Sequence, residues 1–139
     1  MAAIITTDAD FIVKLIDVYP DSCSNYELNG KTIKLGGYQM LVRGEVMRAR
    51  FRKSFEQPEA MTPGKTEEIR FYLPDVMHTF RKVHKIMVQV QSSWFPLVER
   101  HPQQFIDTYK AEEKDFVPST QRIFHQKDAA SFLEINVLK

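Results

Sequence analysis

Ser92, Ser93 and His101 fall within one short stretch, MVQVQSSWFPLVERHPQ, residues 87 to 103. A serine hydroxyl near an imidazole is the raw material of acyl transfer, because the ring can take the proton as the oxygen attacks a carbonyl. That chemistry also needs a tight turn to expose the serine and donors to hold the oxyanion. Gln91 precedes this pair, Trp94 follows it, and no Gly-x-Ser-x-Gly motif occurs anywhere in the chain. The serines therefore read as strand-end residues whose hydroxyls serve the turning backbone. The adjoining Trp94, Phe95 and Pro96 either close the end of a β-sandwich or form a docking surface for another domain. Ser92, Ser93, Trp94, Phe95, Pro96 and His101 make up the candidate interface, and no residue is assigned a catalytic role.

Other chemistries find less support. His78, His84, His101 and His125 match no metal-ligand spacing, and the single cysteine, Cys23, has no partner for a thiolate site. His78 and His84 are expected on a surface loop. Asp8, Asp10, Asp17 and Asp21 do not have the spacing of an EF-hand loop. Asp17 interrupts an apolar strand, so its carboxylate is expected at an interface or hydrogen-bonded to a loop. The run RARFRK, residues 48 to 53, offers phosphate contacts with Phe51 for stacking. It reads equally as one solvated strand face countered by Glu56, Glu59, Glu67 and Glu68. A net charge of +1, from 19 basic and 18 acidic residues, favours the second reading and gives no steering toward nucleic acid or anionic membrane. No cofactor or metal is expected.

The elements that must position these residues have a period of two. DFIVKLIDVY, residues 10 to 19, reads as a largely buried strand stopped by Pro20. A long loop follows, with a small hairpin suggested at Asn29-Gly30. In YQMLVRGEVMRARFR, residues 38 to 52, the alternation changes phase after Val46, as a bulge near Gly44 or Met47 would cause. Pro63-Gly64 signals a turn. TEEIRFYLPD and KIMVQVQSS alternate cleanly as strands, and TQRIFHQ and SFLEINVL read as short ones. PQQFIDTYKAEEKDF is the one segment suited to a helix or an irregular excursion. The 139 residues, 43% of them hydrophobic, suit a single domain, residues 1–139, that is all-β, either a sandwich or a barrel. MAAIITTDAD has no basic region before its short apolar run, so no signal peptide is legible. No run of roughly 18 apolar residues is present to span a membrane, and the compartment stays open.

Taken in order, TDADFIVKLIDVYPD, GGYQMLVRGEVMRARFRKSFEQPE and TPGKTEEIRFYLPDVMHTFRKVHKIMVQVQSSWFPLVERHPQ resemble the C-terminal domain of a serine-hydrolase superfamily. Its members include X-prolyl dipeptidyl aminopeptidases, cocaine esterases, α-amino-acid ester hydrolases and glutaryl-7-aminocephalosporanic-acid acylases. The resemblance runs from about Thr7 to Leu138. It implies a jelly-roll β-sandwich similar to galactose-binding domains. It also implies that the catalytic serine, aspartate and histidine belong to a separate, preceding α/β-hydrolase domain. Two departures stand out: the family usually has glycine at the position of Val83 and asparagine at the position of His101. A turn needing positive φ would be strained at Val83. The family domain also carries further strand sequence before the stretch matching TDADF, where this chain has only MAAIIT. A truncated domain is therefore expected, either an excised fragment or a fragmentary gene product. An uncovered core and sheet edge would then drive self-association.

Three functions follow from these readings. The first is a non-catalytic accessory domain that packs on a catalytic domain and helps shape its substrate pocket. The second is an independent module for carbohydrate or another small ligand, which rests on fold analogy alone. The third, a small enzyme using Ser92 or Ser93 with His101, lacks an oxyanion hole and a group to orient the base.

Overall fold

The computed structural model describes residues 1–138. Among them the chain is all-β, as expected, and its only helices are single 3-10 turns at Ala49–Phe51, Thr108–Lys110, Glu113–Asp115 and Lys127–Ala129. No helix among the described residues is long and apolar enough to cross a membrane. The contacts divide the chain into two compact units.

The first unit holds Met1–Phe11, Met47–Phe71 and the chain from Ser92 onward. Its sheet pairs β1, Ala2–Ile4, with β7, Gln121–Ile123, in antiparallel register from Ala2 opposite Ile123 to Ile4 opposite Gln121. β1 is buried throughout, and Ala2 and Ile4 join Ala9, Phe11, Ala49 and Met61 in the core. A three-residue strand is too short to show a period, so MAAIIT gave no strand signal. The Pro63-Gly64 turn forms as its residues dictate. Gly64 takes φ 75°, and the Lys65 amide closes the turn on the Thr62 carbonyl at 3.1 Å.

The second unit holds Ile12–Val46 and Tyr72–Gln91. Most of a three-stranded sheet lies in it, with β2 (Asp10–Val18) between β5 (Gln39–Arg48) and β6 (Lys85–Gln91). The central position of β2 explains its near-continuous apolar sequence. β2 and β6 pair antiparallel, from Ile12 opposite Gln91 to Val18 opposite Lys85. The suggested hairpin is present: β3 (Tyr26–Leu28) and β4 (Lys31–Ile33) pair across Asn29 and Gly30. Those two residues have φ of 49° and 74°, the double positive that a type I′ turn requires.

Two expected strands do not form ladders. Residues 66–75 make one isolated bridge, Ala2 to Glu67, and are otherwise unpaired, although burial alternates with period two through Ile69, Phe71 and Leu73. Residues 131–138 form no strand either. Alternation specifies which side chains turn inward, but a strand also needs a neighbouring backbone to pair with. The 102–116 excursion is irregular, broken into two of the 3-10 turns. β5 runs without interruption to Arg48, and a 3-10 turn follows it.

Candidate functional site

Within the first unit, the alternating arginines face inward. This corrects the reading of residues 48 to 53 as a solvated face. Arg48 donates from Nε to Asp10 Oδ1 at 2.9 Å and from Nη2 to Glu99 Oε1 at 3.1 Å. Arg50 pairs through its Nε with Asp8, whose Oδ1 also accepts from the Arg50 backbone amide at 2.9 Å. Arg52 reaches Glu67 at 2.9 Å and the carbonyls of Ala49 and Glu59. Lys53, by contrast, is exposed and pairs with Glu59 as expected. The two-residue spacing of Asp8 and Asp10 matches that of Arg48 and Arg50. Matched i, i+2 charges on two segments were the available signal, and no calcium-type pattern was needed to explain the aspartates. The basic residues are therefore spent on internal carboxylates, which removes the phosphate-binding reading.

His101 sits at the centre of this network. Its side chain is fully covered, so it offers no surface to a partner. Its Nε2 donates to Asp8 Oδ2 at 3.2 Å, and its Nδ1 accepts the Gln103 backbone amide at 2.9 Å. These partners assign the ring proton to Nε2. Burial pushes the Asp8 carboxyl up, but the hydrogen bonds from His101 and Arg50 outweigh it and hold its pKa below the usual range. Burial likewise pushes the Glu67 carboxyl up, and the Arg52 hydrogen bond brings it below its ordinary value.

The loop after β6 carries the other candidate residues. Ser92 and Ser93 are exposed at the end of β6 and line a cleft of about 370 Å³. Trp94 is half-buried and its carbonyl accepts from the Val98 amide at 2.9 Å, which closes the loop. Phe95 and Leu97 are 67% and 71% exposed, and Pro96 between them is exposed too. With both ring nitrogens of His101 already engaged, neither is left to accept a proton from Ser92 or Ser93. The serine–histidine proximity in sequence therefore does not assemble a nucleophile with its base.

The second unit holds a separate buried cluster. Asp17 is almost fully buried, and both its oxygens are occupied: His78 Nε2 donates to Oδ2 at 2.9 Å and His84 Nδ1 donates to Oδ1 at 2.8 Å. The expectation that Asp17 is bonded to a loop holds. The expectation of surface positions for His78 and His84 is corrected, since both side chains are largely covered by this contact. Val83, next to His84, has φ 69° and is exposed, so the expected positive-φ turn is present with a β-branched residue in it. Among the described residues, no group of three or more His, Cys, Asp or Glu is placed to hold a metal.

The chain is similar to the C-terminal part of known hydrolases. Residues 2–134 match the family described as the X-Pro dipeptidyl-peptidase C-terminal non-catalytic domain. The cocaine esterase of Rhodococcus sp. (strain MB1 Bresler) is 26% identical over 132 residues, which are 95% of this chain and 20% of that protein. An aminopeptidase from a marine sediment Thaumarchaeota archaeon is 41% identical with a TM-score of 0.80, and an α-amino acid ester hydrolase is 38% identical with a TM-score of 0.81. Each structural match covers 92% of this chain and 20% of the other. The chain thus spans about one fifth of the length of the relatives it matches.

Proposed function

The chain belongs to the family of X-Pro dipeptidyl-peptidase C-terminal non-catalytic domains, and from that premise we propose that it packs on the α/β-hydrolase catalytic domain of a serine hydrolase and helps shape its substrate pocket. The parent reaction is hydrolysis of a peptide, ester or amide, of the dipeptidyl-peptidase, acylase or ester-hydrolase type, with all catalytic residues outside this chain. The observation that carries the reading is the exposure of Phe95 and Leu97 on a closed loop. Large apolar side chains presented this way are the anchors of protein interfaces. The loop is closed by the Val98 amide on the Trp94 carbonyl at 2.9 Å, so the anchors are held ready before any partner arrives.

The test uses the catalytic part of the archaeal aminopeptidase, purified without its matching fifth. Calorimetric titration with this chain is expected to give saturable binding, weakened at least tenfold by Phe95→Ser. Phe95 is exposed, so the variant's thermal midpoint should hardly move. Equal binding by Phe95→Ser and the parent chain, or no binding by either, would overturn the proposal.

Alone, the chain is expected to self-associate. Ile86, Val88 and Val90 lie on one face of β6, an edge strand, and each is more than a third exposed. An exposed apolar edge invites pairing with another copy. Light scattering should report a dimer or larger species. A monodisperse monomer with low binding of a hydrophobic dye would contradict this.

A further inference from the structure

Residues 132–138 have the pattern of a strand without a neighbour. Every one of them is exposed, and Leu133, Ile135 and Val137 recur there with period two. The segment is anchored just before it begins. The Ser131 amide donates to the Phe124 carbonyl at 2.9 Å, and the Ser131 hydroxyl to the Met1 carbonyl at 3.2 Å. Beyond Ser131, residues 132–138 make no hydrogen bond or ion pair with another described residue. They include no proline or glycine, so every backbone amide can enter a ladder.

β6 supplies a matching edge. Among the described residues it pairs with β2 on one side only, so every second amide and carbonyl of its backbone faces the open side. Its burial is inverted: Ile86, Val88 and Val90 are exposed, while Met87, Gln89 and Gln91 are half-buried. Leu15 and Asp17, which lie opposite Val88 and Ile86 on β2, are buried. The cover over this face therefore ends before it reaches β6. Lys85, at the first position, is the only charge on the strand, and no proline blunts the edge. At 7 residues, β6 is as long as the unpaired segment.

We infer that residues 132–138 of one copy add to the open edge of β6 in a second copy as an antiparallel strand, with Leu133, Ile135 and Val137 beside Val90, Val88 and Ile86. In that register Glu134 falls beside Gln89, whose side-chain amide can donate to the carboxylate. This rests on the self-association expected of the isolated chain and names the two segments that make it. Pairing β6 with β6 would leave both tails uncovered, whereas tail on edge covers both apolar rows at once. Each copy offers one tail and one edge, so the contacts run from one copy to the next.

The test exchanges charges across the central pair of the 139-residue chain, with association followed by analytical ultracentrifugation. Val88→Lys and Ile135→Glu each place a charge in the contact, and each alone should weaken association about tenfold or more. The two residues are 45% and 51% exposed, so circular dichroism should report the parent fold in both variants. Mixed in equal amounts, the variants should associate again at close to the parent's strength. The intact tail of one then meets the intact edge of the other, and the second contact brings opposite charges together. A mixture that stays monomeric overturns the inference. So does an Ile135→Glu chain that associates as the parent does, which is the outcome for β6 paired with β6. In that case the tail assignment falls and self-association stands. A monomeric parent chain removes both.

Discussion

Asp8 is the residue on which most of the candidate site depends. Three groups converge on it: the Arg50 guanidinium, the Arg50 amide and the His101 ring. Its carboxyl titrates below the ordinary range in the fold and at about 4 when unfolded. The stability it contributes is therefore complete above about pH 4 and is lost as pH falls toward the depressed folded value. Asp8→Asn should lower the urea midpoint at neutral pH, and the parent chain's advantage over it should shrink as pH falls below about 4. An advantage independent of pH would contradict the assignment. Val83 gives a second test. Its φ of 69° suits glycine, so Val83→Gly should raise stability by about 1 kcal/mol in urea denaturation despite the added chain entropy. Residues of this kind were partly legible. The strain at Val83 was expected from the family resemblance, which implies glycine there. The burial of Asp8 and Asp10 was not, because a carboxylate looks solvated until its arginine is located.

Whole elements were legible where a single segment carries its own pairing rule. The Asn29-Gly30 hairpin is local, and β2 is marked by apolar residues on both faces. The alternation of residues 66–75 was equally clear, yet the segment has one bridge and no ladder. Pairing is a property of two segments, and nothing in one of them states that its partner is in place. Close approach is also invisible in sequence. A Cβ on Gly36 would lie 2.5 Å from the Asp21 carbonyl oxygen, a backbone atom of the loop that follows β2. Gly36→Ala should cost about 1–3 kcal/mol, read as a lower urea midpoint. An unchanged midpoint would mean that the loop does not pack there as described.

At the scale of the molecule, the chain is one fifth of the hydrolases it resembles, and its arrangement suits that position. Its buried aspartates are satisfied internally, while Phe95, Leu97 and the apolar residues of β6 are exposed. The family was legible because the matching motifs are long and ordered, running through most of the chain. What the outward surface touches was not, since a partner's residues are written in another segment. Amide hydrogen exchange of this chain, with and without the catalytic part of the archaeal aminopeptidase, tests the docking claim most directly. Docking should add protection at residues 94–98, where the Val98 amide closes the loop. Protection elsewhere, with that loop exchanging as fast as in the free chain, would contradict it.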